Sequence, residues 1–140
     1  MLIRDAKLAD LKTLLPMAMI AHKQSMFSDF DFNEAAVQRQ FVTAMAFPDG
    51  YAKIVENHGR IVGGMVGLVA ENHFGVRCGI DLFTYSKGGT ARLIRDFRRW
   101  ARSRGAEFIQ ITDLSGKDRY LELIGKLGLT PSGQNYMGAT

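Results

Sequence analysis

The period of the apolar residues changes several times along the chain, and each change marks an element. Leu2 to Arg4 is a short extended segment. Apolar positions from Leu11 to Lys23 then recur with helical spacing; Asp5 or Asp10 can cap this helix and Pro16 should bend it. Ser28 to Phe32 forms a loop, and Asn33 caps a second helix carrying Ala36, Val37, Phe41, Ala44 and Met45 at helical spacing. Pro48-Asp49-Gly50 ends it with turn chemistry. Tyr51 to Glu56 alternates as a strand. Asn57-His58-Gly59-Arg60 supplies a hairpin turn, because Asn and Gly tolerate positive φ, and Ile61 to Ala70 is the returning strand. Its Gly63, Gly64 and Gly67 predict a bulge or a close approach by another backbone.

After a turn at Glu71 to Gly75, Val76 to Tyr85 predicts the next strand. A glycine turn follows, and Leu93 to Arg104 is a helix stopped by Gly105. Glu107 to Thr112 is a buried strand. Ser115 with Asp118 resembles a capping box opening a helix to about Leu127, which Gly128 ends, and Pro131 to Met137 supplies a last strand. The order β-α-α-β-β-β-α-β-α-β predicts one domain over residues 1–140, with a mixed α/β (α+β) sheet rather than a doubly wound one.

Composition narrows the class. The chain has 140 residues, 46% hydrophobic and 23% charged, enough for one ordinary core. Its apolar runs are too short to span a bilayer, no secretory leader is visible, and the single cysteine, Cys78, cannot form an internal disulfide. A cytoplasmic protein without membrane association is expected. The net charge of +4 is uneven: Tyr85 to Arg104 holds seven basic residues against Asp96, a net of +6, so the remainder carries −2. That asymmetry points to a local anion site rather than a general nucleic-acid coat. Asp29, Asp31, Glu34, Asp49, Glu56 and Glu71 are either solvated loop charges or a face for a cationic substrate.

The segment Lys87-Gly88-Gly89-Thr90-Ala91-Arg92 stands between strand and helix. A glycine turn running into a helix N-terminus aims backbone N–H groups outward, and the helix dipole favours negative charge there. A phosphorylated cofactor is the expected ligand.

With these pieces in order, the chain resembles the GNAT superfamily of acyl-CoA-dependent N-acetyltransferases over nearly its whole length. Ile3-Arg4-Asp5-Ala6 with Ala9-Asp10-Leu11 looks like the opening strand and helix cap, and Gly59-Arg60-Ile61-Val62-Gly63-Gly64 like the central hairpin. Asp81-Leu82-Phe83, the glycine turn and Trp100 to Ala106 look like the cofactor core, and Leu123 to Leu129 like the closing helix. The short Gly-Gly loop is reminiscent of GNAT proteins carried by bacteriophages. The resemblance implies a central, mostly antiparallel mixed sheet of about six strands with about four helices, and acetyl-CoA as co-substrate without a metal. The family's pyrophosphate loop usually opens with Arg or Gln. Here that position falls on Tyr85 or Ser86, and Lys87 is the replacement charge.

By the same resemblance, Leu82, Phe83 and Thr84 would pair with the pantetheine amides as an added strand, and Lys87, Gly88, Gly89, Thr90, Ala91 and Arg92 would receive the pyrophosphate. Asp81 sits where the family often places a carboxylate base, and burial would raise its pKa. The family's thiolate-protonating tyrosine is replaced by Ile124; Tyr120, one turn earlier, and Tyr136 on the last strand are the alternatives. Phe27, Phe30 and Phe32 with Asp31 border the acceptor region, where an apolar wall with carboxylates would suit a lysine side chain, a protein N-terminus, a polyamine or another small amine. Family members are often homodimers. Cys78 lacks an activating neighbour, and His22, His58 and His73 lack metal-ligand spacing, although His73 is a lesser candidate base. Arg92, Arg95, Arg99 and Arg102 form a stripe on one helical face, either solvated or a contact for nucleic acid or an acidic protein. The functional expectation is direct N-acetylation of a primary amine. The alternatives are a catalytically weak binding or regulatory protein of the same fold and, less favoured, a nucleic-acid adaptor.

Overall fold

A computed structural model describes residues 1–113, 118–133 and 136–140. Strands β1 (Leu2–Asp5), β2 (Gly50–Asn57), β3 (Arg60–Glu71), β4 (Arg77–Ser86) and β5 (Phe108–Gln110) form one sheet in the order β1-β2-β3-β4-β5. Every neighbouring pair is antiparallel except β4 and β5, which are parallel. Helices α1 (Leu11–Lys23) and α2 (Glu34–Ala46) cover one face, and α3 (Thr90–Ser103) covers the other. Helix α4 (Asp118–Lys126) follows β5.

The alternation along β2 explains the two layers. Ala52 and Ile54 bury against Leu14, Met17 and Phe41 of α1 and α2, while Tyr51 and Val55 bury against Leu93 and Phe97 of α3. Polar ties fix each layer. Arg4 bonds both Asp10 and Glu56, so the first strand and the entry to α1 are held by one guanidinium, whose hydrogen bond holds the Asp10 carboxyl below its ordinary range. On the other face, the Tyr51 hydroxyl donates to Asp96 at 2.9 Å, and Lys53 and Arg99 complete the cluster. Burial alone would raise Asp96, but these donors hold it down.

Several expectations are corrected. The third helix begins at Thr90, not Leu93, because Gly89 takes a left-handed φ of +86° and turns the chain directly into the helix. In the hairpin the left-handed pair is His58 and Gly59 rather than Asn57 and Gly59, since a two-residue turn places positive φ on its two central residues. Asn33 caps α2 as expected, accepting from the Ala36 N–H, but Asp10 makes no such bond to α1; its carboxylate accepts from the Lys7 N–H at the preceding turn. Ser115, the expected cap of α4, lies outside the described residues. Among the described residues the sheet has five strands, not about six: residues 131–133 and 136–137 are in no strand. There Pro131 has no N–H to give a ladder, and Tyr136 and Met137 are exposed rather than packed on the sheet. Among the described residues, no helix is long and apolar enough to cross a membrane.

Candidate active site

The site originates in an interruption of the sheet. Along β3 and β4, Val66 pairs with Phe83 and Gly67 with Asp81, so Leu82 is an extra residue without a partner on β3. This bulge adds local twist at that point of the strand. On its other side, β4 pairs with β5 only over Cys78–Ile80. Beyond Ile80 the ladder is replaced by a side chain: Asp81 Oδ1 accepts from the Thr112 N–H at 2.8 Å. Among the described residues, the edge of β4 from Leu82 to Ser86 then has no neighbouring strand on the β5 side. Unpaired strand N–H and C=O groups are the usual template for an added extended chain.

That edge opens into a cavity of about 1060 Å³ bounded by α1, α2, β4, the start of α3, and α4. The glycine turn closes one end. Ser86 braces it, its hydroxyl donating to the Gly88 carbonyl and accepting from the Gly88 N–H at 3.0 Å. The Lys87 N–H donates to Val62 O at 2.9 Å, tying the turn to β3. Thr90, Ala91 and Arg92 form the first turn of α3 and line the cavity, joined there by the side chains of Lys87 and Arg95. Fixed backbone donors, a helix N-terminus and three cationic side chains make this end a fit for a diphosphate. An added Cβ at Gly89 would stand 2.9 Å from Val55 Cγ2, so the turn is closely packed as well as left-handed.

Asp81 and Tyr120 both line the cavity. Asp81 is 6% exposed, and burial pushes its pKa up to about 6 although Thr112 and Thr84 donate hydrogen bonds to it. Tyr120, from α4, is raised above the ordinary phenol value by burial first, then by the charges of Asp81 and Asp113. The phenol is therefore protonated at neutral pH beside a carboxylate that is ionised there.

The cavity wall contains each expected cofactor residue from Leu82 to Thr84 and Lys87 to Arg92, together with Asp81, Tyr120 and Phe27. It does not contain Phe30, Asp31 or Tyr136. Phe30 packs on Phe27 at a centroid distance of 6.5 Å and is 63% exposed; Asp31 is also exposed, and Tyr136 is 87% exposed. Phe32 takes the wall position, with its ring 5.5 Å from that of His22. His73 stacks on exposed Phe74 away from the cavity, whereas His22 lines it. Ile124 does not line it, and Leu123 does. Cys78 is buried, which raises its thiol, consistent with an inert side chain. The roles of Ser86 as the brace of the turn, of Thr112 as the partner of Asp81 and of His22 as a wall residue are not readable from the sequence alone. The first two contribute through backbone contacts that no spacing predicts; for His22, in the last turn of α1, helical periodicity gives the helix face but not what that face lines. Among the described residues, no group of three or more His, Cys, Asp or Glu is placed to hold a metal.

No protein-family model and no curated protein sequence matches the chain. Solved structures do. An aminoglycoside antibiotic 6′-N-acetyltransferase from Acinetobacter haemolyticus superposes with a TM-score of 0.74 at 14% identity, covering 100% of this chain and 98% of its own. A ribosomal-protein-alanine N-acetyltransferase from Brucella melitensis biovar Abortus 2308 gives 0.73 at 14% identity, with 100% of both chains covered. A transcriptional regulator from Bacillus halodurans C-125 gives 0.78 at 17% identity, with 99% of both covered. Each of these superpositions covers 99% or more of this chain. The chain has the GNAT fold.

Proposed function

We propose that this chain is an acetyl-CoA-dependent N-acetyltransferase that moves an acetyl group directly onto a primary amine in a ternary complex. The observation that carries this is the open β4 edge, which runs from the Asp81–Tyr120 pair to the phosphate-fitting turn within one cavity. A ligand with a diphosphate at one end and amides along its arm fits both features. The co-substrate supplies the activated acyl carbon as a thioester.

The residues divide the work. Backbone groups of Leu82 to Thr84 align the arm, and the N–H groups of Gly89 to Arg92 hold the diphosphate, with Lys87 and Arg92 adding charge. An incoming amine must lose a proton. Asp81, ionised above about pH 6, accepts it on a carboxylate whose other contacts are already fixed by Thr84 and Thr112. Tyr120 keeps its phenolic proton and donates it to the departing sulfur, the task for which Ile124 has no atom.

Isothermal titration of acetyl-CoA into the protein, followed by thiol release with a panel of primary amines, tests the reading. Micromolar binding and amine-dependent release are expected. Binding without release from any amine would reduce the chain to a cofactor-binding protein of this fold, and no binding at millimolar acetyl-CoA would remove the reading altogether.

A further inference from the structure

Resting on that reading, we infer that the acceptor is a monoamine with an apolar, aromatic-sized body, and that polycationic amines are poor acceptors. The two ends of the cavity differ in charge. Among the described residues, every lysine and arginine in its wall belongs to the glycine turn, α3 or α4: Lys87, Arg92, Arg95 and Lys126. The described carboxylates, Asp81, Asp113 and Glu122, belong to β4, the segment after β5 and α4, and Glu122 is paired with Lys126 at 3.0 Å. Among the described residues, the wall from α1, the following loop and α2 has no lysine, arginine or carboxylate, and His22 is its titratable side chain. Between Ala18 and Val37 the sequence holds Lys23, Asp29, Asp31 and Glu34; all four are exposed to solvent and none faces the cavity.

What does face it is Phe27, Phe32, Val37 and Ala21, with His22 tilted against Phe32 and small polar tips at Gln24 and Asn33. The direction of the acceptor follows from the fold. Its amine must reach Asp81 and Tyr120, and the path along the β4 edge toward the glycine turn is taken by the co-substrate. Beyond Tyr120 the α4 wall offers Leu123 and the Glu122–Lys126 pair, so an apolar body lies against the aromatic α1–α2 wall instead. A ring gains edge-on contact with His22, Phe27 and Phe32 there. A second ammonium group would lose water with no carboxylate to meet it, and burying an unpaired charge is strongly unfavourable. Asp113 acts electrostatically on Tyr120 and so belongs with the reacting groups rather than with the α1–α2 wall.

The test separates binding from turnover. The probes are 2-phenylethylamine, 1,5-diaminopentane and kanamycin, titrated into the protein saturated with unreactive desulfo-CoA, and then assayed for thiol release with acetyl-CoA. Phenylethylamine should bind tighter than diaminopentane, and kcat/KM should favour it by roughly 100-fold. Phe32→Ala should raise KM for phenylethylamine about 10-fold, the scale of a lost pocket contact, without moving the acetyl-CoA Kd. Ala21→Glu, adding a carboxylate to the neutral wall, should narrow the preference against diaminopentane. Equal or tighter binding of diaminopentane or kanamycin would overturn the inference even if both are acetylated. Selective binding of phenylethylamine without thiol release would support the pocket's preference and overturn the catalytic reading instead.

Discussion

Replacing Asp81 with asparagine should stabilise the protein at neutral pH and disable it in the same step. The carboxyl is buried, and its pKa stands at about 6 in place of an ordinary 3.8. Between those two values the folded chain holds a proton that the unfolded chain has released. Stability therefore falls as pH rises through about 4 to 6 and stays at its lower value above that window. The difference of about two pKa units corresponds to roughly 3 kcal/mol, an upper limit for a site that water reaches from a cavity. Asparagine has no charge to bury and keeps the geometry: its oxygen accepts from the Thr112 N–H, and its amide donates to Thr84 Oγ1.

Urea unfolding of the two proteins from pH 4 to pH 8 reads the first half. The curves should converge near pH 4 and separate above pH 6, with Asp81→Asn the more stable by about 1–3 kcal/mol. Thiol release reads the second half. Wild-type kcat/KM should fall on the acid side of about pH 6, and the variant should lose roughly 100-fold or more in rate together with that acid limb. A variant less stable than wild type at pH 8 would refute the burial argument. A variant that keeps the acid limb would refute Asp81 as the base and leave it only as the brace between β4 and the end of β5.

Four further outcomes follow from contacts in the structure. Gly89→Ala imposes a left-handed φ on a residue with a Cβ and crowds Val55; it should cost about 1–2 kcal/mol in unfolding experiments and weaken acetyl-CoA binding in titration. Tyr120→Phe should lower kcat about 10-fold or more with the acetyl-CoA Kd unchanged, and an unaltered kcat would assign sulfur protonation to water. Arg92→Ala should raise the Kd for acetyl-CoA and flatten its salt dependence, yet leave binding of S-acetylpantetheine, which lacks the diphosphate, as it was. Gly67→Ala would place a Cβ 2.8 Å from Ile80 O and from the Phe97 ring, pushing α3 off the sheet at a cost of about 1–3 kcal/mol in thermal melts.

The elements that periodicity controls were legible in the chain. Helices α1 and α2 and strands β2 to β4 lie within a residue or two of where apolar spacing and caps place them, because each helix buries one face and the sheet is packed on both. What escaped was set by contacts between distant segments. Nothing in Ile80-Asp81-Leu82-Phe83 announces which residue is skipped; the bulge follows from how β3 must register around Gly67, where α3 comes closest. Strand β5 is cut to three residues because Asp81, not a backbone group, takes the Thr112 N–H. The acceptor wall was half legible. Phe27, Phe30, Phe32 and Asp31 are near neighbours in sequence, but a loop without regular period gives no rule for which side chains turn inward, and only Phe27 and Phe32 do.

One side chain thus links architecture and chemistry. A sheet whose β4 and β5 paired along their full length would have no free edge for an extended ligand, and a pair that diverged without a brace would leave the Thr112 N–H without its partner. Asp81 resolves both, and in doing so becomes a carboxylate that has been removed from water and held at fixed geometry. Those are the conditions that lift its pKa toward the range useful for a base at neutral pH. Packing pressure alone would favour a neutral residue at this position, since asparagine can accept from the Thr112 N–H and donate to Thr84 Oγ1. A charged group at the point of strand divergence is what the proposed proton transfer requires and what stability alone does not.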